Sequence, residues 1–314
     1  MNKVFKIVEK RKLYYCISAG IILLSLLVSL IRGVEVAIEF KGGTMISYSF
    51  TGELDGNVVA SAASQSVGQT VSSKEGENFS DGSKYVELSF VSNEGLTADR
   101  QHELTESLQA SFPENQLELL SSNDVKPSIG TEFFQKCLVA VAFAALVLII
   151  YIALRFKKIS GWSAGVMAVV ALLHDCAIVY ATFIFFNIPI NAYFMAVLMT
   201  ILGYSINDTI VIYDRIRENK KLMGPKTPVE ELVNTSISQS LKRSFNTTIS
   251  TVIALATICV VALFTGVTSI LSFAFPLIIG MISGTYSSIC MAGPLWVDWQ
   301  NKKKPAGYAD KKKR

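Results

Sequence analysis

Charge is what this sequence has least of. Only 17% of its 314 residues are Asp, Glu, Lys or Arg, against about 25% in an ordinary soluble domain. Hydrophobic residues make up 51% and the mean hydropathy is +0.41. Disorder is excluded, and because the apolar residues come in long blocks the pattern is that of a membrane protein. Cysteine is also scarce. Cys16, Cys137, Cys176, Cys259 and Cys290 all lie inside apolar blocks, and residues 32–132 contain none. A disulfide framework and C-x-x-C metal spacing are therefore excluded. Histidine is scarcer still, and His102 and His174 cannot by themselves build a histidine-rich metal site. H-E-x-x-H, P-loop and G-x-G-x-x-G signatures are missing. The stretch GYSIND is no nucleophile elbow, since Asn207 stands where the second glycine is required. Asp175 and Asp208 could be imagined as an intramembrane aspartyl-protease pair, but neither stands in a Y-D or G-x-G-D context. The expectation is a chain with no catalytic residue, no metal and no cofactor.

What is present are six apolar segments, at approximately 13–31, 134–154, 162–185, 191–213, 243–266 and 270–297. Each is long enough to cross about 30 Å of hydrocarbon as a helix. The first has a basic start like a secretory signal, but its apolar run is long and no A-x-A site follows, so it reads as an uncleaved span. Pro276 and Pro294 predict a kinked or shortened last span. The formal charge of +4 is strongly segregated. Lys and Arg cluster before the first span, in 155–161, in 214–245 and after residue 300, while 186–190 and 267–269 carry none. These clusters flank spans, so they read as topology determinants and not as nucleic-acid contacts. By the positive-inside bias both termini are cytoplasmic and the acidic region 32–132 lies outside. The chain then divides into 1–31 (N-terminus and first span), 32–132 (outer domain), 133–300 (five-helix block) and a basic tail, 301–314, suited to anionic lipids.

Within the outer region, 44–50 and 85–91 have the β-branched and aromatic content of strands. Residues 57–71 carry valines at loosely helical spacing, 96–112 reads as a helix, and 116–121 as a third strand. Residues 72–84 read as a turn-rich polar linker. The β-α-β-α-β order predicts an α+β ferredoxin-like sandwich. Gly42 and Gly43 suit either a hinge between membrane and outer domain or a tight turn opening a strand.

A charged group at bilayer depth costs about 2.5–3.5 kcal/mol on insertion scales, so each one needs a reason. His174 and Asp175 fall in the third span, Asn207 and Asp208 in the fourth, and Arg243 at the start of the fifth. Gly203, Tyr204, Asn207 and Asp208 share one helix face, and Arg243, Thr247, Ser250 and Thr251 form a second polar stripe. The two stripes are expected to face each other, with Arg243 holding a protonatable Asp208 ionised; the alternative is an ion pair that only packs helices. Neighbours on a helix diverge by about 100°, so His174 and Asp175 are not expected to line one site tightly. Gly280, Gly284 and Ser288 form a small-residue face for close helix packing.

These residues resemble the SecF family of Sec translocase subunits over nearly the whole length. The most specific stretch is GYSINDTIVIYDRIREN, 203–219, which is similar to the family's fourth-span signature. ALLHD at 171–175 resembles its third-span signature, and SLKRSFNTT at 240–248 the opening of its fifth span. IEFKGGT at 38–44 resembles the D-F-x-G-G-T element with Glu39 in place of the usual Asp. VKPSIG at 125–130, with Pro127 and Gly130, resembles the V-G-P-x-x-G link with Lys126 in place of Gly. The resemblance implies a six-span half of a resistance-nodulation-division-like architecture that pairs with SecD. It also implies work near the SecYEG channel, with SecA upstream and often YajC alongside, using the proton gradient (sodium in some members) to help preproteins leave. On this resemblance Asp208 and Arg243 are the ion-coupling residues, supported by Asn207, Tyr204, Thr247, Asp175 and His174. Two other readings stand beside it: a scaffold subunit without ion coupling, and half of a small-molecule exporter of the same superfamily.

Cysteine probes introduced at positions 80 and 230 are expected to label from opposite sides of the membrane, and labelling from one side only would overturn the six-span topology.

Overall fold

The computed structural model describes residues 4–77, 82–90, 96–125, 127–224, 226–265 and 268–303. Six helical segments are long and apolar enough to cross a membrane: Val8–Arg32, Glu132–Arg155, Gly161–Phe185, Ala192–Leu222, Val229–Thr265 and Ile270–Lys302. The chain is a multi-pass membrane protein. The corresponding helices are α1 (Arg11–Arg32), α5 (Pro127–Arg155), α6 (Gly161–Phe185), α7 (Ala192–Leu222), α8 (Val229–Thr265), α9 (Thr268–Ser287) and α10 (Gly293–Lys303). A five-residue π turn, Ser288–Ala292, joins the last two. The last span is therefore neither cut short nor broken at its prolines. Pro294 has no N–H and its ring would crowd the carbonyl of Cys290 in a regular helix, and the wider π turn contains that carbonyl.

Burial divides the bundle. About half or more of the apolar window is buried in α6 (61%), α7 (56%) and the last span (50%), but only 11% in α1, α5 and α8. The first three form the centre, and the others present leucine, isoleucine and valine faces such as Leu26, Leu27, Val139 and Ile253 outward. The small-residue face of α9 allows a close approach to α7. A Cβ added at Gly284 would sit 2.9 Å from Ser205 Cβ, and one at Gly280 would meet Ile201 and Val179 within 3 Å.

At 31 and 37 residues, α7 and α8 span about 46 and 56 Å at 1.5 Å per residue, more than a bilayer core requires. Their surplus is a polar hairpin held by Asn219 to Ser236 and Gln239 and by Arg215 to Gln239. Asn234 on this hairpin accepts from the backbone N–H groups of Ile7 and Val8 and donates to Glu9. Asn301 donates to Glu230, and Arg11 pairs with Asp298 at 2.8 Å. The first helix, the hairpin and α10 thus meet at one end of the bundle.

The opposite end carries the outer domain. Its approach is a one-turn helix, α2 (Ile38–Lys41), seated by Phe40 against Phe133 and Phe134, with Ala37 and Glu35 bonded to the backbone of Ile190. Gly42 then caps α2 with φ +79° and Gly43 opens the first strand at φ +148°, so both need the freedom of glycine. The pair makes a turn that opens β1. Strands β1 (Gly43–Phe50), β2 (Val71–Glu77), β3 (Lys84–Phe90) and β4 (Glu118–Val125) form an antiparallel sheet in the order β2-β3-β1-β4, covered by α3 (Gly56–Val67) and α4 (Ala98–Ser111). The ferredoxin-like sandwich is present with one strand more than the sequence suggested. Residues 72–77 of the expected linker, with Val71 before them, are β2, an edge strand whose polar side chains leave only Val71 in the core. Residues 78–81 of that linker, Lys126 and the tail from 304 onward lie outside the described residues, as do the side chains of Glu39, Pro127 and Gly130.

Gly284→Ala should lower the melting temperature of the purified protein in detergent by an overpacking cost of about 1–3 kcal/mol. Gly203→Ala, with open space around the added carbon, should leave it unchanged or raise it. Equal melting temperatures would mean that α7 and α9 do not touch as described.

Candidate functional site

Two buried carboxylates flank α9, one from each neighbouring helix. Asp175 on α6 lies ten residues from Phe185, about 15 Å along the helix and so near mid-membrane. Asp208 on α7 lies sixteen residues from Ala192, about 24 Å, and so closer to the hairpin end. Asp175 is fully buried and Asp208 is 4% exposed. Their surroundings differ.

Asp175 is surrounded by donors. Ser205 from α7 and Ser287 from α9 each donate to Oδ2 at 2.7 Å, and Ser283 from α9 donates to Oδ1 at the same distance. His174 Nδ1 stands 3.2 Å from Oδ1. Sequence spacing had placed these neighbours on diverging directions. Their backbone directions do diverge, but Nδ1, the ring nitrogen nearer the main chain, curls back to the adjacent carboxylate. The imidazole also packs on the ring of Tyr286, whose hydroxyl donates to the Tyr14 carbonyl on α1.

Asp208 has much less. Thr285 of α9 reaches Oδ2 at 3.4 Å, a long contact. Thr285 is bonded in turn to Thr248 of α8, and Thr248 to the Tyr204 hydroxyl on α7. The fully buried Ser244 hydroxyl lies beside the same carboxyl without completing a hydrogen bond. The helix face of α8 turned inward is thus Ser236, Ser240, Ser244 and Thr248, four residues apart and all buried.

This corrects the expected stripe. Arg243 and Thr247 are exposed because they stand one position around the helix from Ser244 and Thr248, and Ser250, two positions past Thr248, points away as well. Asn207 and Gly203 on α7 are exposed as well. Arg243 and Asp208 form no ion pair among the described residues. Of the residues singled out by sequence, Tyr204, Asp208, His174 and Asp175 gather around α9. Arg243, Asn207 and Thr247 look outward, and Gly42 and Gly43 belong to the outer-domain junction. Sequence reasoning missed Ser205, Ser283, Ser287, Thr248 and Thr285. The signal was there in the four-residue spacings Ser283 to Ser287 and Ser240 to Ser244 to Thr248, hydroxyls repeating on one face of an apolar helix.

No group of three or more metal-binding side chains comes together among the described residues. The arrangement offers one carboxylate ringed by hydrogen-bonding groups and one with few, on two neighbouring helices that both pack against α9.

Comparison with known proteins bears directly on this bundle. Residues 104–302 match the family model described as protein export membrane protein SecD/SecF, C-terminal. Protein translocase subunit SecF of Alicyclobacillus acidocaldarius is 34% identical over 316 residues, covering 99% of this chain and 98% of that one. Protein translocase subunit SecDF of Bacillus subtilis is 36% identical over 180 residues, 57% of this chain and 23% of its own length. The crystal structure of SecDF, a translocon-associated membrane protein from Thermus thermophilus, superposes with a TM-score of 0.77 at 30% identity. That match covers 96% of this chain and 39% of the SecDF chain, so this chain spans well under half of the fused protein. The chain belongs to the SecD/SecF family of protein-export membrane proteins, in its SecF branch of protein translocase subunits.

Proposed function

We propose that this chain pairs with a SecD subunit and couples the proton (or sodium) motive force to preprotein export by the Sec translocase, with release on the outer face. It does so without catalysing a chemical reaction of its own. The observation that carries this reading is the poverty of contacts around Asp208. An ionisable group placed within a membrane is costly and marks ion pathways by default. A carboxylate wedged among hydroxyls can be served in either state, because a hydroxyl donates to the ionised form and accepts from the protonated one. Arg243 supports the same reading. Its guanidinium is exposed near the membrane boundary of α8, where a lone chain has nothing to cover it, and a second six-span block would give it a polar neighbour.

Within this reading SecD faces the Arg243 side of α8, the SecYEG channel with its SecA motor lies alongside, YajC can join, and the basic tail meets anionic lipid headgroups on the cytoplasmic side. Both termini are cytoplasmic and the membrane is the bacterial inner membrane. The glycine pair, with Glu39 before it and the Pro127–Gly130 link after the sheet, forms the two covalent connections through which the bundle can move the outer domain. Preprotein would be engaged by that domain.

Asp208→Asn keeps the size of the side chain and cannot ionise. At matched subunit levels, in inverted vesicles with and without an ion gradient, it should lose the gradient-stimulated part of export and keep the ATP-driven part. Arg243→Met should do the same. Full gradient stimulation in Asp208→Asn would make Asp208 a packing residue and overturn the mechanism; loss of assembly with SecD in both variants would favour a scaffold.

A further inference from the structure

Asp175 is buried deeper than Asp208 and is closer to mid-membrane, and the resemblance gives it no task more definite than support of the ion-coupling pair. Its geometry says what it does. An ionised carboxylate offers about four acceptor sites and no donor, and here the hydroxyls of Ser205, Ser283 and Ser287 converge on it while His174 Nδ1 lies 3.2 Å away and completes the set when it carries a proton. Three hydroxyls and one imidazole proton around a single carboxyl favour the anion. A buried anion needs a balancing charge. The titratable side chains around the pair are Cys176 beside it on α6, Tyr286 and Cys290 on the last span, Tyr14 on α1 and Asp208 on α7. None of these is a base, so His174 is the one described neighbour that can supply the positive charge.

The four donors also come from three helices. Two are Ser283 and Ser287, one turn apart on α9, and Thr285 lies between them on the opposite face of the same turn. Whatever holds Ser283 and Ser287 against α6 therefore sets how far Thr285 reaches toward Asp208. Ser288 adds a second tie by donating to the Ser205 carbonyl and bonding Thr209.

We infer that Asp175 is a positioning residue for the coupling site, seating α9 through Ser283 and Ser287 so that the Thr285 hydroxyl meets Asp208, with His174 as its charge partner. The inference rests on the reading of Asp208 given above. It gives the third-span histidine and aspartate a task distinct from carrying the ion: the saturated carboxylate holds still while the bare one changes state.

The test reads the pH dependence of gradient-stimulated export at matched levels of folded subunit, which a mere loss of stability would not displace. Thr285→Val should shift the pH of half-maximal stimulation. The pair Ser283→Ala with Ser287→Ala should shift it in the same direction and by a similar amount, and the triple variant should shift it no further than Thr285→Val alone, because both changes act through one contact. Should the pair not accumulate, Ser287→Ala by itself carries the same expectation. Additive shifts, or an unshifted profile in the serine variants, would overturn the inference while leaving Asp208 untouched. Retained stimulation in Asp208→Asn would instead remove the reading beneath it. For the charge partner, His174→Gln should reduce the yield of folded protein, since it strands a buried carboxylate, and adding Asp175→Asn should restore much of that yield. A double variant no better than His174→Gln would show that the two side chains are not a charge pair.

Discussion

One carboxylate buried at the middle of a membrane governs how this bundle is put together. Left unpaired, Asp175 would cost more than most single interactions can return. Four donors must therefore be delivered to it, and none can come from solvent. Two of them arrive from α9, which requires α9 to pack against both α6 and α7, and that requires glycine where α9 crosses Ser205. With α9 packed there, α6, α7 and the last span are the buried helices of the bundle, and α1, α5 and α8 surround them.

The same helix packs beside two acids with opposite surroundings. Asp175 is approached by groups from three helices, whereas Asp208 meets the Thr285 hydroxyl at 3.4 Å with the buried Ser244 hydroxyl beside it. Under the proposed coupling, the group that changes state would sit within one helix diameter of a group that is held still. The row Tyr204, Thr248 and Thr285 connects α7 and α9 to α8, whose exposed face bears Arg243.

Much of this was legible in the amino-acid order. Long apolar runs separated by basic clusters marked six spans, because hydropathy over twenty residues is a bulk property that local packing cannot overturn. Asp208 and Asp175 stood out for the same reason. The edge strand β2 did not, since VSSKEGE pairs through its backbone and buries only Val71. The facing of α8 was misjudged by one residue. Arg243 is the conspicuous side chain, but Ser244 is the one turned inward, and serine in an apolar helix is too common to attract notice alone. Ser283 and Ser287 were similarly silent until a carboxylate from a distant span was seen to gather them. Side-chain reach, too, is invisible in a helical wheel, which is why His174 and Asp175 looked divergent and are in contact.

The tie between α1, the α7–α8 hairpin and α10 at one end of the bundle bears on how such chains can be joined. A block with an even number of crossings whose first and last helices finish side by side can be spliced head to tail to another such block without an added crossing, and without reversing either one. The SecDF chains, of which this chain covers 39% in one case and 23% in another, are longer polypeptides of the kind such a geometry would permit.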